Sequence, residues 1–231
     1  MQQPIKVDIE KIYKIDKAGN LDVERSWTLN NQTHQDVDIS ELSFYVVEFV
    51  NTLANLKAFD SSGDLEFRQE RRGSGTKMKA IPRIDKLSPL QKYKMTLLYQ
   101  LPSYVYKLGD AWLFSDLISG MGRSGFEELI SENMGIKLRV ILPKLKKRFW
   151  QSIFHESSPL GRELTKEEKN PSVIDNVVLE WTSSLSSEYN YVVRLIYGIR
   201  TNTQLISILT VAITAIVTGL INYGFSLLKG G

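Results

Sequence analysis

Residues 205–228 carry no charged side chain. At about 1.5 Å of rise per helical residue the run reaches roughly 36 Å, longer than the roughly 30 Å hydrocarbon core of a bilayer. Arg200 and Lys229 bracket it, and only Gly230 and Gly231 follow. Buried helices of globular cores are seldom this long and this free of charge. The run therefore predicts a single C-terminal transmembrane helix over 205–228. A short linker over 199–204 and a soluble region over 1–198 precede it.

The opening residues, Met-Gln-Gln-Pro-Ile-Lys-Val, are polar and lead directly into a strand-like pattern. A basic stretch followed by an apolar one would mark a signal peptide, and neither is seen. With the apolar run at the far end, this predicts a tail-anchored, single-pass protein of the cell membrane with its N-terminal domain in the cytosol. Arg194 and Arg200 before the run, against Lys229 after it, agree with a positive-inside arrangement. The chain has no Cys, which excludes disulfides and thiolate chemistry. A formal net charge of +3 is too small to point to nucleic acid but suits a place near anionic lipid.

The soluble region reads as mainly β. Ile5, Val7 and Ile9 alternate with charged residues, and Leu21, Val23, Trp27 and Leu29 alternate again beyond a turn at Ala18-Gly19-Asn20. Two alternating runs around a Gly-Asn pair predict a hairpin. Further strands are expected over 42–50, 53–59, 89–101, 136–142 and 149–154. The last two expected strands, 177–181 and 189–197, flank a Ser-rich turn. Residues 115–133, with Gly120, Gly122 and Gly125, read as a loop with at most a short helix. Many short strands at near-regular spacing predict a β-sandwich-like fold, either as one unit or as two subdomains near 1–102 and 103–198.

Motifs for catalysis are sparse. His34 and His155 stand far apart, and no HxxxH, CxxC or HExxH spacing occurs, so no zinc site is expected. His155-Glu156-Ser157-Ser158 places triad residue types together, but triad members come from separate elements and no GxSxG elbow exists. The run 120–125 has glycines at GxGxxG spacing without a strand before it or a Lys-Ser/Thr pair after it. Asp36, Asp38, Asp60 and Asp64 lie in turns, where Asp is favoured for its own hydrogen bonding. No cofactor is expected.

Two surfaces stand out. Lys144, Lys146, Lys147 and Arg148, followed by Phe149 and Trp150, form a basic cluster with an interface-seeking aromatic. Such a cluster is either a solvated turn or a membrane-surface contact, each cation near an anionic leaflet contributing about 1 kcal/mol. Within the apolar run, Thr210, Thr214, Thr218, Asn222 and Ser226 recur every fourth residue and form a slowly winding polar stripe. Ala215 and Gly219 add a small-xxx-small pair that permits close helix approach. The stripe serves helix self-association, lines a narrow polar path, or bonds its own carbonyls and faces lipid.

The segment Asp16-Lys17-Ala18-Gly19-Asn20-Leu21-Asp22-Val23-Glu24-Arg25 resembles the opening strand pair of prokaryotic membrane-anchored β-sandwich domains. Phe59-Asp60-Ser61-Ser62-Gly63-Asp64-Leu65, and Leu90-Gln91-Lys92-Tyr93 leading to Leu98-Tyr99, are similar to later strands of such domains. The resemblance spans residues 5–101 and implies a β-sandwich, with no activity or functional residue attached. It also implies an outward-facing domain, whereas the missing signal sequence implies a cytosolic one.

The leading expectation is a non-enzymatic module. Its domain binds a protein or small-ligand partner at the membrane surface, and its anchor makes a homo-oligomer. A second expectation is a membrane effector whose striped helices assemble into a pore. A third is an enzyme with an unrecognised site near residues 110–125.

Overall fold

The computed structural model describes residues 4–42, 44–48, 53–72, 75–109, 111–118, 133–146, 151–160, 172–175, 178–186 and 191–229, with side chains of the C-terminal helix described as far as Thr218. In chain order the strands are β1 (Ile5–Ile15), β2 (Leu21–Asn31), β3 (Val37–Asp38), β4 (Phe44–Glu48), β5 (Ala54–Asp60) and β6 (Gly63–Asp64). Next come β7 (Phe67–Arg72), β8 (Gly75–Ala80), β9 (Lys86–Leu87), β10 (Lys92–Leu101), β11 (Tyr106–Leu108) and β12 (Ala111–Ile118). The last are β13 (Asn133–Ile141), β14 (Gln151–Leu160), β15 (Ser172–Asp175), β16 (Val178–Ser186) and β17 (Tyr191–Thr201), followed by helix α1 (Thr203–Lys229).

The chain is mainly β, as its alternating patterns predict. An eight-stranded mixed sheet has the order β15-β16-β13-β1-β2-β10-β5-β6. A four-stranded sheet (β11-β12-β17-β14), a three-stranded sheet (β4-β8-β7) and the small pair β3-β9 complete it. The β1–β2 hairpin closes on Asp16, whose Oδ1 accepts the N–H groups of Ala18 and Asn20 at 2.8 and 2.9 Å. Gly19 takes φ +85° in that turn, a conformation that side-chain-bearing residues resist.

Every second residue of β1 and β2 faces one interior. Ile5, Val7, Ile9, Tyr13 and Ile15 share it with Leu21, Val23, Trp27 and Leu29, all buried. Each such side chain contributes about 1.5–3 kcal/mol by leaving water. Both smaller sheets cover this face. Trp27 meets Phe44 of the three-stranded sheet with ring centroids 5.6 Å apart. Tyr13 meets Phe114 of the four-stranded sheet at 5.3 Å.

Three findings depart from the sequence expectations. β1 and β13 run parallel, a pairing across more than a hundred residues that no local turn announces. β16 and β17, expected around one Ser-rich turn, enter different sheets: β16 pairs with β13 and β17 with β12 and β14. The third finding concerns the expected membrane-crossing helix. α1 is a 27-residue helix, but among the described residues no helix is long and apolar enough to cross a membrane. Of the loop expected over 115–133, residues 115–118 belong instead to β12 and Asn133 opens β13, while residues 119–132 lie outside the described residues.

Candidate functional site

The end of the four-stranded sheet from which α1 departs carries basic residues over aromatic rings on both of its faces. β17 runs to Thr201, α1 opens at Thr203, and Asn202 alone stands between them. The Asn202 carbonyl accepts the Ile206 N–H at 3.1 Å, the first bond of the helix. Thr201 pairs with Gln151, the first residue of β14. Gln151, five residues beyond Lys146 in the chain, therefore lies opposite a residue two positions before the start of the helix.

Lys144 and Lys146 are exposed, while Leu145 between them packs against the core. This alternation fixes the segment to the domain and turns its cations outward. Lys147, Arg148 and Trp150 lie outside the described residues. Arg200, one residue from the end of β17, lies over the Phe154 ring at 4.9 Å and donates to Glu156 Oε1 at 3.1 Å. Lys107 Nζ sits 5.5 Å from the Trp112 ring centroid, and Trp112 stacks on Tyr197 at 6.4 Å. Burial pushes the Tyr197 hydroxyl well above the ordinary tyrosine range. Tyr106, 71 % exposed, precedes Lys107 on β11 and so points to the opposite face of the sheet. Cations over aromatic faces cover apolar surface with their stems, and of these two Arg200 is also paired with Glu156.

On α1, Thr210 Oγ1 donates to the Ile206 carbonyl at 2.9 Å, and Thr214 Oγ1 donates to the Thr210 carbonyl at 2.8 Å. Their protons are satisfied within the helix, so neither hydroxyl demands a neighbour. Thr218 and Ala215 are exposed, and an apolar groove runs beside them along Ser207, Ile208, Val211, Ala212 and Ala215. The side chains of Gly219 and Asn222 lie outside the described residues.

Two of the turn aspartates, Asp38 and Asp60, are used structurally. Asp38 Oδ1 accepts from Ser40 N and Oγ at 2.9 and 2.6 Å. Asp60, with Tyr93 and Arg83, forms a closed network in which both carboxylate oxygens are engaged. A carboxylate so occupied is a clasp and has no lone pair directed at a substrate. Among the described residues no group of three or more His, Asp or Glu is placed to hold a metal. The sequence reading missed Arg200 stacked on Phe154 and Lys107 over Trp112, because each pair is made by strand register rather than by spacing.

No protein-family model matches the chain, and no curated protein sequence matches it. Among solved structures, it is similar to yeast LTA4 hydrolase in complex with bestatin, at 7 % identity and TM-score 0.45, over 82 % of this chain and 28 % of that one. It is also similar to a putative nutrient binding protein from Legionella pneumophila, at 9 % identity and TM-score 0.41, over 84 % and 67 %. A third is the M1 zinc metallopeptidase of Deinococcus radiodurans, at 11 % identity and TM-score 0.34, over 85 % and 42 %. The chain thus spans under a third of the hydrolase's length. The expectation of a chain that is not an enzyme is corrected here: the similar structures include a hydrolase and metallopeptidases. At these scores the likeness assigns this chain no activity.

Proposed function

We propose that the chain is a single-pass membrane protein. Helix α1 crosses the bilayer, and the β-rich domain, standing in the cytosol, is held against the anionic lipid surface to bind a partner or ligand there. One observation carries this reading. Ile206, Ile208, Val211, Ile213, Ile216 and Val217 are all exposed on α1. At 100° per residue these positions surround the axis with no gap wider than about 120°. A helix packed on a core hides one apolar stripe and shows a polar one to water. Leaving six such side chains in water would cost roughly 10 kcal/mol, as much as the whole net stability of a typical domain. Lipid on all sides removes that cost.

The uncharged run continues through residue 228, which supports a full crossing. Exposed Lys144 and Lys146 at the helix-proximal end of the domain support the surface contact. Ala215 and the groove beside it support self-association through the helix.

The test is to express the full-length chain with a tag at each end and wash membranes with alkaline carbonate. Retention in the pellet supports the reading, and a soluble monomer obtained without detergent sinks it. Protease treatment of intact spheroplasts then locates the domain. Loss of the N-terminal tag only after lysis places it in the cytosol, and loss before lysis places it outside.

A further inference from the structure

The turn that joins β9 to β10 holds a residue unsuited to it on two counts. Ser88, Pro89, Leu90 and Gln91 form a tight turn in which the Gln91 N–H donates to the Ser88 carbonyl at 3.0 Å. Pro89 takes the second position and Leu90 the third, where φ is +56°. This is the type II arrangement, whose third position belongs to Gly or Asn because a Cβ is crowded there. Leu90 stands in that conformation and leaves its side chain 60 % exposed. Neither the backbone nor the solvent favours leucine at this place. Among the described residues, the other side-chain-bearing ones with positive φ are Asn55 and Ser103, both short and polar.

Bonds from outside the turn impose the conformation. Asn31, fully buried at the end of β2, donates from Nδ2 to the carbonyls of Gln35, Leu87 and Ser88 at 2.8, 3.0 and 3.0 Å. Its Oδ1 accepts the Thr33 N–H at 2.9 Å and the Thr33 hydroxyl at 2.8 Å. The Asn31 N–H donates to the Gln91 carbonyl at 3.0 Å, and the Leu90 N–H donates to the Thr33 carbonyl at 3.3 Å. Gln91 closes the turn, its Oε1 accepting the Ser88 N–H at 2.8 Å. Segments 32–36 and 88–91 are thereby stitched into one platform that carries Leu90.

The platform is acidic. β3 and β9 pair Val37 with Leu87 and Asp38 with Lys86, which brings Asp36 level with Ser88. Asp36, Asp38, Glu41 and Asp85 are exposed there, against exposed Lys86 and Lys92. Such a surface repels anionic lipid and attracts a basic one. An apolar side chain already fixed in place needs no further ordering on binding. Strain sustained around an exposed apolar side chain marks a contact made outside the chain.

We propose that Leu90 is a docking knob for a partner protein, seated in an apolar pocket whose border carries lysine or arginine. This inference stands independently of membrane anchoring.

Thermal unfolding of the full chain in detergent tests the strain. Leu90→Asn suits the turn better and removes the knob, so its midpoint should equal the wild type's or exceed it by up to about 4 °C. A lower midpoint would show that leucine serves the fold, and overturns the proposal. To find the partner, a benzophenone amino acid replaces Leu90 in the full chain, in the cells that make it. The same group at exposed Lys57 is the control. The expected result is one adduct absent from the control, mapped to an apolar pocket bordered by Lys or Arg on another protein. That protein, purified, should bind Leu90→Asn roughly tenfold more weakly than wild type, and Asp36→Lys more weakly as well. Overturning results are no adduct beyond the control, an adduct to lipid, to a second copy of this chain or to a surface without such a pocket, and equal binding of Leu90→Asn.

Discussion

The Tyr93 hydroxyl donates to Asp60 Oδ2 at 2.8 Å and so ties β10 to the end of β5. The Tyr93 oxygen in turn accepts the Arg83 backbone N–H at 3.1 Å. Asp60 Oδ1 takes the Ser62 N–H at 2.7 Å, and Arg83 Nε lies 3.5 Å from Asp60 Oδ2. Burial alone would raise the Asp60 carboxyl, but these donors and the Arg83 charge outweigh it and hold it below the usual carboxylate range. Burial, then the bond to Asp60, pushes Tyr93 up to about 12.

The lowered carboxyl gives the pH dependence its sign. A depressed folded-state value contributes stability above the ordinary carboxylate value and loses it as pH falls through the folded one. Asp60→Asn should lower stability at neutral pH by about 2 kcal/mol. It should also flatten the acid limb of a plot of unfolding free energy against pH. Urea melts from pH 7 to pH 3 measure both, and parallel acid limbs would remove Asp60 from this role.

Two glycines separate backbone strain from crowding. A Cβ at Gly19, where φ is +85°, would meet the Val105 carbonyl oxygen at 2.8 Å. At Gly109, with φ +59°, it would meet nothing within 4 Å. Gly109→Ala should therefore cost only the backbone term, about 1 kcal/mol. Gly19→Ala adds a clash with rigid backbone and should cost about 3 kcal/mol. Equal losses in chemical denaturation would mean that crowding at the β1–β2 turn is relieved.

Glu180 receives Arg139 at 2.8 Å and Lys137 at 3.2 Å. Burial raises its carboxyl, and these two partners more than reverse that, so it lies below the ordinary range. Because the cations are partly solvated, Glu180→Gln should cost only about 1 kcal/mol, with Lys137→Gln alone below about 0.5 kcal/mol. A double-mutant cycle with Arg139 measures the shared part.

The basic segment makes a prediction for nanodiscs carrying the full chain. Trypsin should cut at residues 144–148 more slowly on anionic than on zwitterionic lipid, and 0.5 M salt should erase the difference. Lys144→Gln with Lys146→Gln removes about 2 kcal/mol of attraction. Protection at Lys147 and Arg148 should then fall by roughly thirtyfold at most. Cutting rates indifferent to lipid charge would dismiss the surface contact.

The polar stripe is tested by Thr214→Leu and Asn222→Leu. If the stripe joins helices, either change should shift the detergent-solubilised chain toward monomer in light scattering. An unchanged mass for both would leave the Thr hydroxyls with only the intrahelical bond seen at Thr214.

Local features were legible in the sequence, and partnerships were not. Asp16, Gly19 and Asn20 announce the first hairpin because a tight turn has its own chemistry. The alternation of Ile5 to Ile15 announces the buried face because a strand has a period of two. The same period cannot name a partner strand, so the parallel union of β1 with β13 and the parting of β16 from β17 were invisible. Lys11 and Arg25 interrupt otherwise apolar faces, and composition marks such residues as solvated. Only the register that sets them opposite each other beneath the two smaller sheets marks them as buried. The placing of Gln151 beside the start of α1 has the same origin, since it depends on the register that sets Gln151 against Thr201.

With Asn202 as the whole connection between β17 and α1, the chain has no swivel there. β17 is gripped on both sides, by β12 and β14. A turn of the helix about its axis is therefore geared directly to the sheet, and one inserted residue would swing the domain's heading by about 100°. In the membrane arrangement proposed above, the helix is then a steering column as well as a tether: it sets which flank of the domain meets a neighbour standing in the same plane.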